Sequence, residues 1–118
     1  MRIMIAALVA MTTTMAIAEE SDDAHRLALS GRDAYWNCLA REYPRDSNKN
    51  LSEADFVSLI AGACRSERQN FRVALVDYLT TLFPEKEPGA NMTTANSAIE
   101  LAQKDIVTAF AKRKAASK

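Results

Sequence analysis

The sequence predicts an all-α protein: a small, elongated three-helix bundle, up-down-up, with a long central helix and one disulfide between helices one and two. Three observations carry this. Three glycines and three prolines in 118 residues are too few for a turn-rich β fold, and Ala, Leu, Lys, Arg, Glu and Gln, the stronger helix formers, are abundant. Apolar residues recur at helical spacing in three separate stretches. The only two cysteines, Cys38 and Cys64, fall on the inward stripes of consecutive helices.

The chain opens "MRIMIAALVAMTTTMAIAEES". Arg2 supplies a positive start, Ile3 to Ala10 an apolar run, and Ala16-Ile17-Ala18 the small-x-small pattern that a signal peptidase reads. Residues 1–18 are therefore expected to be a cleaved signal peptide, with Glu19 first in the mature chain. The apolar run is broken by Thr12, Thr13 and Thr14 and is shorter than the roughly 20 residues that span a bilayer. No stable membrane anchor is expected after cleavage, and the short signal has a bacterial look. Residues 19–118 then make a single helical domain of about a hundred residues, large enough to fold alone around a modest core.

The first helix is expected over about residues 21–43. Ser21 caps it, Asp22 and Asp23 sit where the helix dipole favours negative charge, and Pro44 disfavours helix at Tyr43. Its stripe is Ala24, Leu27, Ala28, Gly31, Tyr35, Cys38 and Leu39. After the polar loop "PRDSNKN", Ser52 and Asp55 form a capping-box-like pair, with Leu51 and Phe56 at the staple positions. The helix that follows meets no breaker before Pro84, so it should run over about 53–83, roughly 46 Å. Phe56, Ile60, Cys64, Phe71, Leu75, Tyr78 and Leu82 line its stripe, with Glu67 the one charge on it. A third helix is expected over about 94–115, capped by Thr93 or Thr94, burying Ala95, Ala98, Ile99, Ala102, Ile106, Ala109 and Phe110. Short connections then predict the first helix against the N-terminal half of the long one and the third against its C-terminal half.

Cys38 and Cys64 differ in expected height by roughly 9 Å, within reach of a short connection. In an exported chain such a pair reads as a disulfide. A redox couple would want the thiols close in sequence at a helix N-terminus, and two cysteines with one distant histidine are too few for a zinc site.

Function is less legible. Fifteen Lys and Arg against fifteen Asp and Glu leave no bulk field, so neither nucleic acid nor an anionic membrane surface is an expected partner. No phosphate loop, dinucleotide fingerprint, zinc-protease or nucleophile-elbow motif is present. No catalytic, cofactor-binding or metal residue is assigned, and no cofactor is expected. His25, the one histidine, lies early in the first helix with no identifiable nucleophile, and reads as a surface residue. Glu67 reads as a structural carboxylate that an arginine from another helix, Arg32 or Arg41, would pair. The sequons at Asn50 and Asn91 overlap expected helix caps and carry no separate meaning. Trp36 lies off the main stripe of its helix, and Leu59, Val73 and Leu79 lie outside that of the long helix. These four form the expected interaction surface, with covering the disulfide the alternative role for Trp36. The chain thus reads as a periplasmic or secreted helical protein that acts by binding, as an adaptor, chaperone-like or inhibitor module. Its expected partner is an unidentified protein or a second copy docking through helix two. The alternatives are a small enzyme or accessory subunit using Glu67 or His25, and a dimerising structural protein.

Overall fold

The computed structural model describes the backbone of residues 2–117 and the side chains of residues 20–87 and 89–117. The leader and cleavage point expected over residues 1–18 lie outside the described side chains. The fold is all-α: four helices, α1 (Arg2–Ala40), α2 (Glu53–Gly62), α3 (Arg65–Leu82) and α4 (Pro88–Ala116), with a 3-10 turn at Asp46–Asn48 and no strand among the described residues. It is elongated, 78 × 23 × 21 Å.

The expected count of three helices is corrected to four, because the central helix is broken. Ala63 ends α2 in extended backbone (ψ 155°), and Cys64 precedes α3 with φ 56° and ψ 48°. The left-handed region is unfavourable for a residue with a Cβ, and Cys64 is the only non-glycine residue with positive φ among those described. Two side chains stabilise the break. Arg68 donates from its guanidinium to the carbonyl of Ala61, satisfying one of the carbonyls that the end of α2 leaves without a helical partner. Glu67 falls in the first turn of α3, where the dipole favours a carboxylate. The charge that looked misplaced in the middle of an apolar stripe is a helix-start charge.

Topology remains up-down-up, with α2 and α3 together forming the descending leg. On one side, α1 lies antiparallel to α3: Tyr35 meets Phe71 with ring centroids 6.3 Å apart, and lower down His25 meets Tyr78 at 4.8 Å. On the other, α4 runs antiparallel to both parts of the leg. Phe56 stacks on Phe110 at 3.9 Å, and Arg72 Nε donates to Asn96 Oδ1 at 2.9 Å. The expected placement of the first helix is therefore corrected, while the third lies on the C-terminal part of the leg as expected and on the N-terminal part as well. α1 packs on the C-terminal part of the leg, α3, while α2 packs mainly on α4. Twelve residues, 41–52, carry the chain from the end of α1 up past the roughly 15 Å height of α2. Asn48 organises this climb from a buried position, donating to the Glu42 carbonyl at 2.9 Å and to its carboxylate at 3.1 Å.

Element ends follow local chemistry. α1 stops three residues short of expectation, in turns closed by Arg41 N–H to Cys38 O and Glu42 N–H to Leu39 O, consistent with Pro44 barring a further helical turn. Ser52 caps α2, its Oγ accepting from Asp55 N–H at 3.1 Å. α4 starts at Pro88 rather than at 94, since proline suits the first helical position. Thr93 and Thr94 consequently sit inside the helix and donate back to the carbonyls of Gly89 and Ala90 instead of capping it. The shift places Asn91 in the helix, where it is buried.

The core is Tyr35 and Leu39 from α1, Phe56 and Ile60 from α2, Phe71 from α3, and Ile99, Ala102, Ile106 and Phe110 from α4. Leu27 and Leu82, expected inside, are exposed. Both lie toward the lower end of the α1–α3 pair, away from this cluster. Gly31 has a specific task there: a Cβ on it would stand 3.1 Å from the Cα of Phe71, so its absence lets α1 and α3 approach closely. Gly31→Leu should destabilise the protein by about 1–3 kcal/mol through overpacking. Gly89→Leu, at a position with nothing within 4 Å of the added Cβ, should leave the urea midpoint nearly unchanged.

Candidate functional site

Cys38, half a turn before the end of α1, and Cys64, at the α2–α3 break, are joined with an S–S distance of 2.06 Å and a Cα separation of 6.2 Å. Among the described residues no cysteine is free. Packing sets this junction up. Gly31 against the Phe71 backbone and Tyr35 against its ring fix the register of α1 on α3, and that register brings Cys38 level with the start of α3. Cys64 and Glu67 occupy the N-cap and third positions of α3, the spacing of a capping box. A carboxylate oxygen of Glu67 consequently lies with the two sulfurs inside a 4.8 Å sphere of mutual distances, all three side chains being half-buried.

The interhelical ion pair expected for Glu67 does not form. Arg32 pairs with its neighbour Asp33 at 3.1 Å, and Arg41 Nε donates to the Asn37 carbonyl at 3.4 Å. The broken helix removes the reason for such a pair, because Glu67 is served by the N-terminus of its own helix. His25 is exposed, its ring tilted against that of Tyr78, eleven residues and roughly 16 Å along α3 from Glu67. The two residues weighed for a catalytic role do not share a site.

The four residues of the expected interaction surface are dispersed. Trp36 is 42% exposed and Val73 50% exposed, whereas Leu59 is half-buried against the core and Leu79 is half-buried. Trp36 lines an open cleft between α1 and α4 with Arg32, Asp33, Asn37 and Asp105. Leu29, seven residues earlier and so on the same side of α1, is also exposed. A second cavity, about 240 Å³, lies where the 41–52 connection meets the end of α4. Tyr43 and Phe110 line it, with Lys49, Arg113, Lys114 and Asp46 around them. Lys114 is already engaged, donating to the Leu51 carbonyl. Sequence reasoning missed this second cavity because its walls come from a loop and a helix end some sixty residues apart.

Among the described residues no helix is long and apolar enough to cross a membrane. No family model, curated protein or solved structure matches the chain.

Glu67→Gln separates a helix-start carboxylate from a buried, ion-paired one. As a charge at the N-terminus of α3 it should contribute about 0.3–1 kcal/mol, a stabilisation that salt screens. Urea melts of both proteins at low and high ionic strength should show the gap narrowing as salt rises. A loss of several kcal/mol, insensitive to salt, would contradict this assignment.

Proposed function

We propose that the chain is an exported protein, periplasmic or secreted after cleavage behind Ala18, that acts by binding a protein partner as an adaptor, chaperone-like or inhibitor module. The observation that carries the reading is Trp36, 42% exposed in the cleft between α1 and α4. Folding leaves the chain's one tryptophan half open to water, although large apolar side chains are normally drawn inside. An exposed tryptophan with arginine beside it and a charged margin has the composition of a binding hot spot, an aromatic anchor inside a polar rim. Leu29 on the same side extends the apolar surface along α1. The disulfide supports the export half of the reading, because such bonds persist in oxidising compartments.

A second reading, self-association through the descending leg, draws on Val57. It is 46% exposed on α2, the helix that α1 stops short of covering. Both readings are tested by placing a photoactivatable phenylalanine analogue at position 36, and separately at 57, in the exported protein. A discrete cross-linked species from position 36, larger than the chain and different from twice its mass, is the expected result. A product of twice the chain mass from position 57 identifies self-association instead. No product from either position contradicts the binding function. Intact mass of the same exported material should show Glu19 as the first residue, and protein that still begins at Met1 contradicts the export assignment.

A further inference from the structure

We propose that the reduced form of this protein binds one zinc-class divalent cation through Cys38 Sγ, Cys64 Sγ and a carboxylate oxygen of Glu67, so that disulfide and metal are alternative occupants of one junction. The argument is independent of the partner-binding reading. Its basis is that a carboxylate oxygen of Glu67 lies within 4.8 Å of both sulfurs of the bonded pair, one at the end of α1 and the other at the N-cap of α3.

Three features favour the site. First, the ligands are held by the fold rather than by the S–S bond alone. Glu67 is placed by its position in the first turn of α3, and Cys38 by the packing of Gly31 and Tyr35 on Phe71. Second, the dimensions suit a tetrahedral ion. With Zn–S bonds of about 2.3 Å the two sulfurs need to stand about 3.8 Å apart, a modest separation for cysteines whose Cα atoms are 6.2 Å apart. A carboxylate oxygen at about 2.0–2.2 Å takes the third position, and the half-buried setting leaves the fourth to water. Third, two thiolates with one carboxylate suit zinc or cobalt rather than magnesium or calcium, which take oxygen ligands. The net negative charge of such a centre would lie at the N-terminus of α3, where the helix dipole favours it.

The chemistry balances as follows. A thiol or phosphine reductant gives two electrons to the S–S bond, and two protons from solvent or reductant complete the thiols. A thiol reductant leaves as its own disulfide, whereas a phosphine takes an oxygen from water, which also supplies the two protons, and leaves as the oxide. The cation then displaces those two protons to solvent as it binds both sulfurs. In an oxidising compartment a disulfide donor takes the two electrons, leaves as its own pair of thiols, and so reverses the sequence and expels the ion.

Cobalt(II) is the probe. The full-length protein, reduced with a phosphine that leaves no competing thiol, is titrated while the near-ultraviolet thiolate-to-cobalt absorption and the far-ultraviolet helical signal are recorded together. One cobalt per chain is expected for the reduced wild type, and none for the oxidised protein, Cys38→Ser or Cys64→Ser. Glu67→Gln should bind at least tenfold more weakly. Should reduction itself lower helicity, cobalt should restore it in the wild type and not in the cysteine variants. An absent absorption band in the reduced wild type overturns the proposal, as does one cobalt per two chains. Equal affinity in Glu67→Gln also overturns it, leaving Glu67 as a helix-start charge only.

Discussion

The bond between Cys38 and Cys64 is the constraint on which the remaining arrangement depends. It ties the last turn of α1 to the residue where the descending leg breaks, and so locks the register that Gly31 and Tyr35 set by packing on Phe71. α1 therefore ends level with the start of α3, and α2 rises beyond it with α4 as its main helical neighbour. That geometry explains the twelve-residue connection, which has to climb α2 before the chain can turn down. It also explains the length of α4, 29 residues, the one helix that packs against both parts of the leg. Closing a loop of this size contributes about 3.5 kcal/mol in the chain-entropy model. For a domain of about a hundred residues, whose whole stability is about 5–15 kcal/mol, that is a substantial share.

Much of this could be read from residues. Ser52 and the staple pair Leu51 and Phe56 marked the start of α2, Pro84 marked the end of α3, and the inward stripe of α4 came out buried or half-buried at every position from Ala95 to Phe110. The break at Ala63–Cys64 was not read, because the usual punctuation is absent. No proline interrupts the run, and the residue that takes the left-handed conformation carries a Cβ. A trace was nonetheless present. Cys64-x-x-Glu67 has the spacing of a capping box with a cysteine in the serine place, and Gly62 stands just before it. A lone carboxylate on an apolar stripe is then better taken as a sign that a helix begins nearby than as a buried charge awaiting a partner. Leu27 failed for a different reason. α3 runs past its level, since His25 meets Tyr78 and the neighbouring Ala28 is buried, so Leu27 lies on the flank of the face that α3 covers and not on it.

Function was read from the sequence only as a class, protein binding, which stays a proposal, and the structure narrows the surface on which that proposal rests. Of the four residues expected to form an interaction surface, only Trp36 and Val73 are exposed enough to present a side chain. The cleft at Trp36 joins two helices whose relative position the core fixes: Gln103 of α4 donates to the Tyr35 hydroxyl of α1 at 3.0 Å, one residue from the tryptophan. A surface held this firmly loses little conformational freedom on binding, which lowers the ordering cost of association. The same rigidity at the cysteine junction keeps Glu67 beside the two sulfurs. One packed interface, α1 with α3 and α4, thus positions both the proposed contact surface and the proposed cation site.

Urea melts with and without reductant, on the wild type and on the Cys38→Ala/Cys64→Ala variant, test the central role of the bond most directly. Reduction should cost the wild type about 3.5 kcal/mol, leave the variant unchanged, and bring the two proteins to nearly the same midpoint. A wild-type midpoint that does not move on reduction would contradict the account, since packing alone would then be holding α1 against the broken leg.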